Sequence, residues 1–144
     1  MPKKRVLFLC TANSCRSQMA EGIAGHFLGD LLEAFSAGTG ASFVNPRAIE
    51  VMREIGVDIS WQRSKNMDEF SGRSFDYVIT LCGDANEKCP LFFGGVQRTH
   101  LGFPDPAAAR GTEEEIMAEF RKVRDDMKDR LTDFFRKQLE QVPV

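Results

Sequence analysis

The first apolar stretch, Arg5 to Cys10, has no periodic break: Val6, Leu7, Phe8 and Leu9 are consecutive. A run this short without polar alternation predicts a strand buried on both faces, as in a parallel sheet. The period then changes. Within Ser17 to Leu28, Met19, Ala20, Ile23, Ala24, Phe27 and Leu28 recur at offsets of three and four. That spacing predicts an amphipathic helix, and Gly29 suits its end. Glu33 to Ala37 predicts a second strand, ahead of Gly38 and Gly40. Asn45-Pro46 predicts a helix start, with Asn as cap and Pro in the first turn. Ala48, Ile49, Met52 and Ile55 form its buried face and Gly56 closes it. Ser64 to Phe70 reads as a short helix, Phe75 to Leu81 as a third strand, and Gln97 to Leu101 as a weaker fourth. Thr112-Glu113-Glu114-Glu115 is a capping-box pattern. It opens a long helix with the stripe Ile116, Phe120, Val123, Met127, Leu131, Phe134 and Gln138. Strand–helix alternation predicts an α/β fold: one domain over residues 1–144, a parallel four-stranded sheet flanked by helices.

Composition narrows the setting. The 144 residues carry a net charge of −2, with 42% hydrophobic and 28% charged residues. These are ordinary values for a globular protein, and nothing in the charge points to nucleic acid. Lys3, Lys4 and Arg5 read as a solvated basic start. No apolar run approaches the roughly 18 residues of a membrane span, and Val6 to Cys10 is too short for the core of a secretion signal. The expected location is the cytoplasm, and the expected state a monomer. The cysteines are Cys10, Cys15, Cys82 and Cys89. Structural disulfides are rare in a reducing cytosol. The C-x4-C and C-x6-C intervals are not zinc knuckles, and neither His26 nor His100 sits at a ligand offset.

Chemistry gathers at the strand ends. Cys10 ends the first strand and Cys82 follows the third. In a parallel α/β sheet, ligands collect at the carboxyl ends of strands. Neighbouring strands lie about 4.8 Å apart, and a disulfide needs Cα atoms roughly 4.4 to 6.8 Å apart. A sheet order with strand three beside strand one therefore brings the two thiols within reach. Between strand and helix runs Cys10-Thr11-Ala12-Asn13-Ser14-Cys15-Arg16-Ser17, a C-x5-R-S loop. A loop this tight points backbone N–H groups at one small anion, and the helix N-terminus adds partial positive charge. Arg16 offers a bidentate fork to two oxygens of a tetrahedral oxyanion. The same field is expected to lower the thiol pKa of Cys10, the candidate nucleophile. Ser17 is placed to add a hydroxyl hydrogen bond to the sulfur. Asn13 is expected to brace the loop and Cys15 to pack within it. In Phe103-Pro104-Asp105-Pro106, prolines restrict the backbone around an Asp. Alone this is a turn signal. Beside C-x5-R it makes Asp105 the candidate general acid for the departing oxygen.

Through Cys10-x5-Arg16-Ser17 and Asp105-Pro106 the chain resembles the low-molecular-weight tyrosine phosphatases. It is more similar still to the arsenate reductases of that fold that are coupled to thioredoxin. That likeness runs through CTANSCRSQMAEG (Cys10 to Gly22), NPRAIEVMREIGVDIS (Asn45 to Ser60), VITLCGDANEKCP (Val78 to Pro90) and GFPDPA (Gly102 to Ala107). The resemblance implies a three-thiol relay in arsenic detoxification. Cys10 attacks arsenate, with Asp105 protonating the departing oxygen. Cys82 attacks Cys10, releasing arsenite and leaving a Cys10–Cys82 disulfide. Cys89 then attacks Cys82, and thioredoxin reduces the Cys82–Cys89 bond. Phosphate or sulfate is expected to mimic arsenate, and no bound cofactor is implied. If 83–88 is helical, a rise of 1.5 Å per residue sets Cys82 and Cys89 about 10 Å apart. The segment must then unwind to close that bond.

Members of the family can hold a potassium ion near the anion loop. The matching positions here are Asn13, Glu21, Ser36 and Lys65, where the last is usually an Asp. Either Lys65 takes the ion's place and pairs with Glu21, or it points to solvent. Two rival readings use the same residues. A phosphatase would leave Cys82 and Cys89 idle and would want an aromatic wall, for which Trp61 is the candidate. A sensor would bind the oxyanion without chemistry, but no interaction helix or DNA-reading motif accompanies the loop.

Overall fold

Continuous hydrophobicity at the start of the chain follows from burial on two sides. In the computed structural model, which describes residues 3–40, 42–70, 72–82 and 97–139, strand β1 spans Lys4–Cys10. Val6 and Phe8 enter one core and Leu7 and Leu9 enter another on the opposite face. The remaining strands are β2 (Leu32–Gly38), β3 (Tyr77–Thr80) and β4 (Gln97–His100). They form a parallel sheet in the order β2-β1-β3-β4. The third strand therefore does lie beside the first. It is shorter than the predicted Phe75 to Leu81, but single bonds continue the pairing at both ends: Asp76 N donates to Arg5 O (2.9 Å) and Leu81 N to Leu9 O (2.9 Å).

The helices are α1 (Arg16–Phe27), α2 (Pro46–Arg53) and α3 (Glu113–Leu139). All three contribute to the core that holds Val6 and Phe8. Asn45 caps α2 as predicted, its side chain accepting from Arg47 N at 2.8 Å. The Thr112 box also forms: Glu115 N donates to Thr112 Oγ1 (3.1 Å) while Thr112 N donates to Glu115 Oε1 (3.3 Å). The stripe of α3 ends differently from the expectation. Phe135 is fully buried against Phe8 and Tyr77, Phe134 is only half-buried, and Gln138 is exposed. A step of four from Leu131 keeps Phe135 on the core face, because the helix turns every 3.6 residues. The short helix at Ser64 to Phe70 is a single 3-10 turn, Met67–Phe70.

On the other face the cover is aromatic. Phe35, Phe70 and Phe75 meet edge to face with centroids 5.6 to 5.9 Å apart. Arg5 and Arg73 lie over these rings at 5.1 to 5.2 Å, each in cation–π range. Among the described residues no helix is long and apolar enough to cross a membrane.

Helices α2 and α3 are tied by a charge cluster. Arg124 is 8% exposed and donates to Val51 O (2.9 Å) and to Glu54 Oε1 (2.8 Å), while Arg121 bonds the same carboxylate. Hydrogen bonds from Arg121, then from Arg124, hold the Glu54 carboxyl down at about 2. A group whose pKa is depressed by folding stabilises the fold above its unfolded value and loses that contribution as pH falls toward the folded one. The clamp is thus expected to weaken between about pH 4.5 and 2. Glu54→Gln should flatten this acid limb of stability in urea titrations run across the pH range. In the same assay Phe135→Ala should cost about 3–5 kcal/mol, as for a buried ring, and Phe134→Ala clearly less.

Candidate active site

The loop between β1 and α1 is defined by where its carbonyls go. Cys10 O accepts from Thr39 N (3.1 Å) and Thr11 O from Gly40 N (3.0 Å). Ala12 O accepts from Ser64 Oγ (2.9 Å), Asn13 O from Gln18 Nε2 (3.0 Å) and Ser14 O from Asn45 N (3.0 Å). Five successive carbonyls are engaged on the outside, which turns the intervening N–H groups toward the cleft. Gly38 permits the close approach this needs. A Cβ there would stand 2.5 Å from Thr11 O and 2.8 Å from Asn13 N.

Asn13 carries the turn. Its φ is +50°, an uncommon value for a residue with a side chain. Its fully buried amide pins it. Nδ2 donates to Ser17 Oγ (2.7 Å) and Ser36 Oγ (3.0 Å). Oδ1 accepts from Gln18 Nε2 (2.9 Å) and Lys65 N (2.8 Å). Asn13 and Ser17 therefore stand behind the cradle, and the Ser17 oxygen belongs to this brace. Gln18 in turn accepts from Gln62 Nε2 at Oε1 (2.7 Å). Gln18 and Gln62 escaped the sequence reading because their partners are 5 and 44 residues away in the chain.

The cleft in front measures about 430 Å³ and is walled by Cys10, Thr11, Ala12, Ser14, Cys15 and Arg16 from the loop. Phe43, Asp105 and Ala107 complete its rim. Helix α1 begins here with no side-chain cap and no acidic residue in its first turn, so its positive end is open to an anion. Arg16 is positioned by Phe103 O (3.2 Å from Nη1) and lies 3.8 Å from Asp105 Oδ2. Asp105 is held by Ala107 N, which donates to its Oδ1 at 3.0 Å.

Cys10 and Cys82 lie 3.7 Å apart. Both are buried, as is Cys15. Thr11 Oγ1 and Cys82 Sγ share a hydrogen bond at 3.2 Å, so the hydroxyl of Thr11 serves the second thiol while its carbonyl shapes the loop. The expected lowering of the Cys10 pKa is not found in the empty cleft. Burial pushes this thiol up to about 12, Arg16 pulls it down and Cys82 pushes it up. Desolvation outweighs one guanidinium that Asp105 already shares. Burial, then the Asp105 charge, pushes Cys15 up to about 11. Cys15 also packs into the helix-side core. Cys89 and the 83–88 segment lie outside the described residues.

Trp61 is not at this mouth. It is 73% exposed and borders a separate cleft with Glu21, His26 and Asp58. The ring at the rim is Phe43, 62% exposed. Lys65 does not point to solvent. Its Nζ donates to Arg63 O (2.7 Å) and lies 3.9 Å from Glu21 Oε1, which accepts from Ser36 Oγ (2.6 Å). Burial raises the Glu21 pKa and lowers that of Lys65, and their mutual attraction opposes both shifts. Among the described residues no group of three or more His, Cys, Asp or Glu side chains is placed to hold a metal ion.

Comparison with known proteins gives the family. Residues 5–143 match the family described as low molecular weight phosphotyrosine protein phosphatase. The arsenate reductase of Bacillus subtilis (strain 168) is 52% identical over 134 residues, 93% of this chain and 96% of that protein. A solved structure of an arsenate reductase in the phosphate binding state has a TM-score of 0.80 at 35% identity, covering 93% of this chain and 98% of that one. The thioredoxin-dependent arsenate reductase of Corynebacterium glutamicum has a TM-score of 0.72 at 29% identity, covering 97% of this chain and 64% of that one. With such likeness over nearly its whole length, the chain belongs to the low molecular weight phosphotyrosine protein phosphatase family, on its arsenate reductase branch.

Proposed function

We propose that this protein reduces arsenate to arsenite through a relay of Cys10, Cys82 and Cys89, recycled by thioredoxin in the cytoplasm. The observation that carries the reading is the 3.7 Å approach of Cys10 and Cys82 at one oxyanion cradle. The arsenate dianion enters against the loop N–H groups and the Arg16 fork, which take up its charge. Its arrival supplies the base that the neutral Cys10 thiol lacks: one arsenate oxygen takes the thiol proton. The thiolate attacks arsenic, forming an S–As bond. Asp105, which takes up a proton once the dianion has drawn Arg16 away from it, passes that proton to the departing oxygen, which leaves as water.

Cys82, with its proton passed to the Thr11 hydroxyl or to solvent, attacks the Cys10 sulfur. The S–As bond breaks and its electron pair stays on arsenic, which is thereby reduced from the pentavalent to the trivalent state. Arsenite leaves and a Cys10–Cys82 disulfide remains. Cys89 attacks Cys82 and frees Cys10, and the dithiol of thioredoxin reduces the resulting bond by exchange. Phe43 at the rim favours a second, minor activity on aryl phosphates, which needs Cys10, Arg16 and Asp105 alone.

Potassium has no part in this reading. The Lys65 ammonium is a tethered cation beside Glu21, in the region where a free ion would have to sit, so the donor set does not suit potassium. Lys65 then acts by neutralising Glu21 and by fixing Asn13 through its backbone N–H.

In an NADPH-coupled assay with thioredoxin and thioredoxin reductase, Cys10→Ser should abolish arsenate turnover. Cys82→Ser should abolish multiple turnover too, while p-nitrophenyl phosphate hydrolysis, which does not use the second thiol, is largely kept. Full arsenate turnover by Cys82→Ser would sink the relay. Replacing potassium by tetramethylammonium at constant ionic strength should leave the wild-type rate unchanged. Lys65→Met should slow it by leaving a buried carboxyl uncompensated, the effect showing mainly in KM for arsenate.

A further inference from the structure

Several rings near the surface carry a cation of the same chain. Arg5 and Arg73 stand over the Phe35 group at 5.1 to 5.2 Å, Lys128 over Phe27 at 4.7 Å and Arg130 over Phe103 at 4.4 Å. Trp61 differs. Its ring is 73% exposed, and among the described residues no Lys or Arg stands over it. Indole offers a cation the strongest of the aromatic faces. The ring is also fixed: Nε1 donates to Asp58 O at 2.9 Å, at the edge of a cleft of about 270 Å³. We propose that this cleft binds a small organic cation, with a guanidinium or alkylammonium head and a short apolar body. It shares no lining residue with the anion cleft and uses none of the thiols, so the proposal stands apart from the arsenate reading.

Charge selects the class of ligand. Ser60 donates to Asp58 Oδ1 from its N (2.9 Å) and its Oγ (2.6 Å), and these bonds hold the Asp58 carboxyl below the usual range. Asp58 is therefore ionised at neutral pH. Arg53, whose charge also reaches Asp58, is engaged by Glu50 at 2.9 Å. Glu21 lines the cleft too, but Lys65 Nζ lies 3.9 Å from its Oε1 and Ser36 donates to the same oxygen. The carboxylate left for a ligand is that of Asp58. His26, also on the wall, turns its ring against Phe27 with centroids 4.7 Å apart. A cationic head is attracted by both the Trp61 face and Asp58, whereas an anion is repelled by both.

A glycine keeps the space open. Gly25 lies within α1 on the cleft wall. Glycine is the poorest helix former after proline, and a Cβ at this position would meet nothing within 4 Å. Packing within the chain gives no reason for glycine there. Its bare backbone, with Val57 nearby, leaves room for an apolar body to lie against the helix.

Trp61 is the only tryptophan of the chain, so its emission reports this cleft alone. N-butylguanidinium chloride is the probe, N-butylurea its uncharged isostere, and potassium chloride at equal ionic strength the simple cation. On the wild-type protein butylguanidinium should shift the emission with saturation in the millimolar range, at one per chain by calorimetry. Butylurea should bind about fivefold more weakly or not at all, the loss expected for one cation–π contact. Potassium should leave the emission unchanged. Asp58→Asn keeps the oxygen that Ser60 bonds and should weaken butylguanidinium by about fivefold, the upper range for an exposed ion pair. Gly25→Leu should block binding while the thermal midpoint stays at or above that of wild type, since leucine favours the helix. Equal affinity for butylurea, an emission change that never saturates or that potassium reproduces, or full binding by folded Gly25→Leu would each overturn the proposal. The comparison of the three probes needs no variant, so a Gly25→Leu chain that fails to fold leaves the proposal open to refutation by wild-type protein.

Discussion

Five carbonyls held from outside make the anion cradle. A tight loop with its N–H groups converging carries like partial charges face to face, and a chain left to itself relaxes away from that arrangement. Here the relaxation is blocked by donors on the turn after β2, on α1, at the cap of α2 and at Ser64. Each bond contributes about 1 kcal/mol at most. Together they keep the dipoles aimed before a ligand arrives, so that little reorganisation is left for the reaction itself. The missing side chain at Gly38 belongs to the same device, since any Cβ would press on the loop from behind.

Charges at the site are paired within the protein. Arg16 faces Asp105, Lys65 faces Glu21, and the buried nucleophile keeps its proton. An incoming dianion disturbs this balance in a useful sense. In the proposed reaction it competes with Asp105 for Arg16 and brings its own base to Cys10, so that the chemistry is tied to occupancy.

Local signals in the sequence were reliable. The unbroken run at Val6 to Leu9, the Asn45-Pro46 cap and the Thr112 box each depend on a few adjacent residues, and each formed as expected. The neighbourhood of Cys10 and Cys82 followed from one topological choice, β3 beside β1. Partners remote in the chain were not legible. Gln62 reaches Gln18, Ser64 reaches Ala12 and Arg124 reaches Val51, and no periodicity announces such pairs. Arg124 also breaks the hydrophobic rule, because a carboxylate and a carbonyl inside pay for its burial. Phe43 stands at the rim for which Trp61 was the candidate, for a similar reason: which ring meets the cleft depends on how the segments before and after α2 fold back.

Among the described residues, Leu81 carries sheet-linked bonds next to the second thiol: its N–H reaches Leu9 and its carbonyl accepts from Phe103 N. Cys82 comes one residue later. Any rearrangement that the proposed disulfide exchange requires of that thiol lies next to this pairing. Rigidity and turnover are therefore separable properties in this molecule. An engineer could stiffen the strands, the aromatic face or the α2–α3 clamp for heat tolerance without trading away catalytic speed.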